Sequence, residues 1–368
     1  KGTPVILPHN MLTISYSITK RSYITISKKI KTKFIGLIPC RRNMGNILVT
    51  DGMAESAVKD LRKLGHKVTE KYFQPEELEG GILVNYDAIV VRSATKLNEK
   101  ILSVSKKLSG GLGFIGRGGV GVDNIDIEAA SKFDIVVCNT PQSSTQSVVE
   151  ITIGHLLSSV RYISKGTSDL KNGKWTKKSL RGTELSGKNL GLIGFGRIAQ
   201  GVAQIAEALG MNLHCYDPYL PKEIAKEKNC TLHDNVDDVF KNCTHISIHC
   251  NYSDETHHLV NSSRIMMMPL SGDDGVNCGR HIVNCARGGI LNEDDILKSL
   301  NNGELSTVSM DVFEKEPPGL IDLINHENFQ GTPHIGAATL EAQMRIGKEM
   351  VTLLDDYFNG KVPHSKLN

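Results

Sequence analysis

From residue 44 onward two hydrophobic rhythms alternate along the chain. Short β-branched and aliphatic runs have the length and density of strands buried on both faces. They are NILVT (46–50), DAIVV (87–91), DIVVC (134–138), LGLIG (190–194), LHCY (213–216), HISIHC (245–250) and HIVNC (281–285). Between them, SAVKDLRKLG, RIAQGVAQIAEALG and EDDILKSLNNG carry apolar residues at helical spacing and end in glycine, which closes a helix in the left-handed conformation. Such alternation predicts an α/β fold with parallel sheets covered by helices on both faces. One long helical stretch over 145–171 is expected to separate two domains. The polar, glycine-punctuated SGDDGVNCG (271–279) reads as a solvated surface loop.

Composition narrows the class. A chain of 368 residues, 39% hydrophobic and 23% charged, fits a globular protein of two domains. Aromatic residues make up 5%, too few for a platform that stacks single-stranded nucleic acid. Of the 43 Lys and Arg and 40 Asp and Glu, residues 1–43 hold nine basic and no acidic ones. The remainder therefore carries 34 basic against 40 acidic residues, a net charge of −6. A mildly acidic body argues against nucleic acid as a partner. No apolar run is long enough to span a membrane.

The acid-free leader, rich in Lys, Arg and Ser, has the composition of an organelle transit peptide. Met44 as the true start is the competing reading. The expected compartment is the cytoplasm, or a mitochondrion or plastid if the leader is a transit peptide. The eight cysteines form no Cys-x-x-Cys pair. Cys138, Cys215, Cys250 and Cys285 close apolar runs, as small buried hydrophobes do. Neither a disulfide framework nor a zinc site is indicated.

Two constellations carry chemistry. NLGLIGFGRIA (189–199) is a strand, then Gly194-x-Gly196-x-x-Ala199, then a helix, with Asp217 ending the next strand 21 residues after Gly196. Glycines there admit a pyrophosphate to the helix N-terminus, and the acid accepts ribose hydroxyls while repelling a 2′-phosphate, so NAD is the expected cofactor. In VNCARGGI (283–290) a buried strand delivers Arg287 and two glycines. An arginine at a strand's carboxyl end makes sense where an anion is received in a bidentate grip. DVFEKEPP supplies Glu316 ahead of two prolines, and TPHIGAAT supplies His334, a proton carrier near neutral pH that a neighbouring carboxylate would orient.

Arg287, Glu316 at +29 and His334 at +47, behind the glycine turn, resemble the Arg–Glu–His set of the D-isomer-specific 2-hydroxyacid dehydrogenases. The likeness runs from about Asn46 to about Val351. VVRSATKL (90–97), GRGGVGVDNID (116–126), GKWTKKSLRGTELSGK (173–188), VNCARGGI, DVFEKEPP and TPHIGAAT are most similar to segments of the members that act on phosphoglycerate.

The resemblance implies two Rossmann-like domains with the active site in the cleft between them. A flavodoxin-like substrate domain would span 44–140, completed by 333–368, and an NAD-binding domain 141–332. It implies cofactor contacts at Gly194, Gly196, Arg197, Ile198, Asp217, Cys285, Asp311, His334 and Gly336, with Asp311 facing the nicotinamide carboxamide. Substrate contacts would fall at Arg92, Ser93, Arg117, Lys177 and Arg287, and at an anion nest formed by the amides of Gly118, Gly119 and Val120. Arg92 and Arg117 would meet a phosphate, and Lys177 would reach across a dimer interface built around 140–188.

On that reading the substrate is a phosphorylated 2-hydroxy acid, 3-phosphoglycerate, at the opening step of serine synthesis. A hydroxypyruvate or glyoxylate reductase and an NAD(H)-sensing binding module are the alternatives. Serine feedback through the C-terminal regulatory extension of some relatives is not expected. Departures from the family pattern carry their own expectations. Gly119 replaces a usual alanine and would loosen its loop. Ala338 replaces a usual serine and would cost a capping box with Glu341. His249-Cys250-Asn251 stands where a Thr-Pro or similar pair is usual near the cofactor.

Overall fold

The computed structural model describes residues 44–106, 110–319 and 322–368. The basic leader, and with it the transit-peptide expectation, lies outside the described residues. Twelve strands among the described residues form two sheets with every pairing parallel. The first sheet contains β1 (Asn46–Val49), β2 (Lys67–Glu70), β3 (Ala88–Val91), β4 (Phe114–Arg117) and β5 (Val136–Asn139). The second contains β6 (Asn189–Ile193), β7 (Asn212–Tyr216), β8 (Cys230–Leu232), β9 (His245–Ile248), β10 (His281–Asn284), β11 (Thr307–Met310) and β12 (Phe329–Gly331).

Their orders are β2-β1-β3-β4-β5 and β8-β7-β6-β9-β10-β11-β12. These are the flavodoxin-like order and the Rossmann order with one added edge strand. Each order reverses once, between β1 and β3 and between β6 and β9. Ligands bind beyond the carboxyl ends of strands at such reversals.

The strands read as uninterrupted apolar runs because both sheet faces are covered. Leu48 packs on one face with Leu102 and Ile115. Its neighbours Ile47 and Val49 pack on the other with Leu354 and Phe358. The helix Leu340–Phe358 thus brings the chain back to the first sheet after the second is built. In the second sheet, Val149, Ile153 and Leu156 of the helix Thr145–Arg161 meet Val202, Ala203 and Ala206 of the helix Arg197–Ala208 over β6. No helix among the described residues is long and apolar enough to cross a membrane.

Two expectations are corrected and one is extended. The 145–171 stretch is two helices, Thr145–Arg161 and Ile163–Lys171, broken at Tyr162 in the left-handed conformation (φ 52°, ψ 37°). Tyr162 N–H closes the first helix on Ser158 O, and its carbonyl accepts from Gly166 N to open the second. Next, 271–279 lies largely exposed at the surface from Ser271 to Asn277, as a solvated loop should, and is ordered as a hairpin closed by a Ser271–Asn277 bridge. Asp274 pairs with the ammonium of Lys188, which is 2% exposed, and Asp273 accepts from the side-chain amides of Asn189 and Asn212. The cause is charge, since a buried lysine requires a counterion. Finally, the helix start near Ala338 is capped after all, one residue later, where Thr339 Oγ1 accepts from Ala342 N at 3.1 Å.

Candidate active site

β6 ends at Ile193 and turns through Gly194, at φ +85°, into the helix that Gly196 caps. A β-carbon at 194 would lie 2.8 Å from Cys250 N and 2.9 Å from the His249 carbonyl carbon, so only bare backbone passes there. Beyond the turn opens a cavity of about 890 Å³ lined by Gly194, Gly196, Arg197, Ile198 and Asp217, with Val120, Thr145 and residues 249–251 also on its wall. The Asp217 carboxylate accepts from Phe195 N (2.8 Å) and Tyr219 N (3.0 Å). That fixes it at the rim with lone pairs left for hydroxyl donors. Burial pushes the His249 imidazole down to about 3, and it bonds Ser247 Oγ at 2.9 Å, so it brings no charge to the cavity.

Helix-start amides and a fixed acid suit a dinucleotide bound through its pyrophosphate and ribose. Thr145, which the sequence reading missed, also lines this cavity, and its buried hydroxyl has no protein partner. The side chain of Cys285, another residue expected at the cofactor, is set into the core. Burial pushes its thiol up to about 12, and its side chain belongs to the core around Val283 and Phe195. It offers only backbone to a cofactor.

A second cavity, about 690 Å³, has Asp51, Arg92, Ser93, Glu316 and His334 among its walls. Glu316 Oε2 accepts from His334 Nδ1 at 2.7 Å, and Oε1 accepts from Phe313 N at 3.1 Å. Burial raises the Glu316 carboxyl. Its bond to His334, the charges of His334 and Arg287 and the Phe313 amide outweigh burial and hold it below the ordinary carboxylate range. His334 itself sits at φ +53°. Arg287 Nε donates to Asp123 Oδ2 at 2.7 Å and Nη1 to Ala286 O at 2.6 Å, while Nη2 has no partner among the described residues. Asp123, another residue the sequence reading missed, therefore ties β10's arginine to the loop after β4.

Arg92 follows β3 and Arg117 ends β4, beside the reversal of the first sheet. Neither forms an ion pair with any described residue. Arg117 donates to Ser93 Oγ (3.2 Å) and, at 3.4 Å, to Gly118 O, and its Nε is buried without a partner. Burial, with Arg287 and Arg92 nearby, lowers the Arg117 guanidinium to about 10.

The loop between these arginines differs from expectation. Gly118 N and Gly119 N already donate to Val91 O and Arg117 O, each at 2.9 Å, so of the supposed nest only the Val120 amide lacks a backbone partner. Gly119, at φ +155°, does more than loosen the loop. A β-carbon there would overlap Arg117 Nη1, and one at Gly121 would overlap the Arg287 guanidinium.

Comparison with known proteins agrees with this geometry. Residues 153–336 match the D-isomer specific 2-hydroxyacid dehydrogenase NAD binding domain. The chain is 39% identical over 325 residues to D-3-phosphoglycerate dehydrogenase of Methanocaldococcus jannaschii, covering 88% of this chain and 60% of that one. It is 41% identical over 288 residues to hydroxypyruvate reductase of Thermotoga maritima, covering 77% and 89%. The crystal structure of NAD+-bound 3-phosphoglycerate dehydrogenase from Entamoeba histolytica superposes with a TM-score of 0.71 at 30% identity, covering 88% of this chain and 99% of that one. The chain belongs to the D-isomer specific 2-hydroxyacid dehydrogenase family. It spans about three fifths of the length of the M. jannaschii phosphoglycerate dehydrogenase.

Membership of this family makes NAD the cofactor. Two residues of the expected cofactor set also make bonds within the protein. The buried Asp311 carboxylate accepts from Thr332 Oγ1 (2.6 Å) and Ile335 N (2.8 Å) at Oδ1 and from Gly336 N (2.8 Å) at Oδ2, so it anchors the loop around His334 and keeps one acceptor site on Oδ2. Gly336 is also bound at its carbonyl, by Ser147 Oγ at 2.7 Å. Lys177 is exposed and lines neither cavity.

Proposed function

We propose that this dehydrogenase oxidises 3-phospho-D-glycerate to 3-phosphohydroxypyruvate with NAD, and catalyses the reverse reduction. The observation that carries this reading is the pair Arg92 and Arg117, without ion-pair partners among the described residues: Arg92 lines the second cavity, and Arg117 feels the charges of both Arg92 and Arg287. Of the three neighbouring guanidinium groups only Arg287 is spent on a carboxylate, Asp123, which leaves two to suit a phosphate at one end of a ligand and Nη2 of Arg287 for a carboxylate at the other. An uncharged tail would leave only Asp123 and Asp51 to offset the charges of Arg287 and Arg92 on Arg117.

The Glu316 carboxylate accepts from Nδ1, so that nitrogen of His334 carries the proton and Nε2 is left as the base. Nε2 takes the C2 hydroxyl proton in oxidation and returns it in reduction, while Glu316 stabilises the imidazolium between. Arg287 Nη2 holds the substrate carboxylate and polarises the C2 oxygen as charge builds there. Bound NAD supplies the acceptor for the C2 hydrogen and its electron pair. Asp217 and the start of the helix Arg197–Ala208 would hold the adenosine ribose and pyrophosphate.

The likeness to the T. maritima enzyme supports a second reading, reduction of unphosphorylated hydroxypyruvate. NADH oxidation by the full chain, with phosphohydroxypyruvate, hydroxypyruvate, glyoxylate and pyruvate side by side, separates the two. A strong preference for the phosphorylated acid that Arg92→Ala abolishes is expected; equal turnover of hydroxypyruvate would overturn the substrate and leave the chemistry. Exposed Ile163, Leu170 and Trp175 support a homodimer through this region, with Lys177 reaching the partner's cleft.

A further inference from the structure

His155 is buried in the helix Thr145–Arg161, away from both cavity walls, yet it bonds toward the active-site loop. Its Nε2 lies 3.0 Å from Thr332 Oγ1, and that hydroxyl donates to Asp311 Oδ1 at 2.6 Å. A hydroxyl has one proton. With it committed to the carboxylate, Thr332 can only accept from the ring, so His155 Nε2 carries the hydrogen. Asp311 also accepts from the amides of Ile335 and Gly336, the two residues after His334. Ser147, on the same helix, binds the Gly336 carbonyl. His155 O also accepts from the Gln330 side chain at 2.7 Å, ahead of the loop.

We infer that His155 is a positioning residue for His334, acting through Thr332 and Asp311. His334 occupies a left-handed backbone conformation (φ 53°), which a non-glycine residue holds only when its surroundings impose it. The imposing groups are the bonds on either side of it, at Thr332 and at Ile335 and Gly336, and all converge on the Asp311 carboxylate. His155 is the donor that fixes the direction of the Thr332 hydroxyl. A leucine there would free that hydroxyl to rotate, weaken the Asp311 anchor and let Nε2 of His334 drift from the substrate oxygen. Misplacement of about 1 Å costs roughly a hundredfold in rate. This rests on the acid–base role given to His334 above.

The test compares His155→Leu, His155→Gln, Thr332→Val and the Leu/Val double variant of the full chain. Phosphohydroxypyruvate and hydroxypyruvate reduction would be measured alongside hydrogen exchange of the segment 332–336. The expected result is a kcat about tenfold to a hundredfold lower in His155→Leu and in Thr332→Val, with KM little changed. The double variant should be no worse than either single one, and His155→Gln, whose amide can still donate, should recover most of the rate. Exchange of 332–336 should rise with each loss of kcat. An unchanged kcat in His155→Leu, or losses that multiply in the double variant, would overturn the inference. If the unaltered chain reduces no 2-oxo acid, the proposed function fails by itself. Exchange then decides the inference: faster in His155→Leu and Thr332→Val and restored in His155→Gln supports it, and no change overturns it.

Discussion

Gly119 and Arg117 are two residues apart and compete for one volume. The guanidinium lies where a β-carbon at 119 would project, so Gly119→Ala should drive Arg117 out of place. Losing one charge-assisted contact to phosphate predicts a fall of about tenfold to a hundredfold in kcat/KM for phosphohydroxypyruvate, with hydroxypyruvate little affected. Steady-state kinetics on the two acids checks it. Glu316 gives a pH prediction. Its folded value lies below the ordinary 4.5. The stabilisation from its pairing is therefore present above about pH 4.5 and is lost as pH falls through the lower folded value. Glu316→Gln should flatten the drop in thermal midpoint below pH 4.5 and reduce kcat at neutral pH. Glu316 and His334 could be grouped with Arg287 from the spacing of three family-like motifs, and the structure joins the first two at 2.7 Å with the charge of Arg287 acting on Glu316. Asp123 and His155 were not legible in the sequence, because nothing local marks a carboxylate that meets an arginine 164 residues away or a histidine that acts through a threonine.

Strands buried on both faces announced themselves at β1, β3, β6 and β9, where apolar residues run without a break. β4 escaped notice although it lies between β3 and β5, because FIGR ends in a glycine and the very arginine that serves the cleft. β2, β8 and β12 are short or on a sheet edge and bury too little to show a pattern. The break at Tyr162 has no glycine or proline to mark it. At the other end of the site, Thr339 caps the helix Leu340–Phe358. Thr339→Ala should cost about 1 kcal/mol in urea unfolding, whereas Ala338→Ser should change little because the cap is already made.

Across the whole molecule, the hairpin 271–279 acts as a brace at the start of β6 and β7 rather than as decoration. Asp274→Ala would strand the Lys188 charge in the core and should lower the unfolding midpoint in urea. Lys188→Met combined with Asp274→Ala should recover much of the loss, because removing both charges removes the desolvation cost as well. The chain passes between its two sheets twice, once from Asn139 to Thr145 and once from Gly331 to Leu340. A body joined at two points turns about the line through them and has little other freedom, so opening and closing should follow a single axis. The second joint contains His334. Any swing about that axis should therefore also act on the peptide that carries His334, so the placement of the proposed proton carrier should be coupled to closure of the cleft.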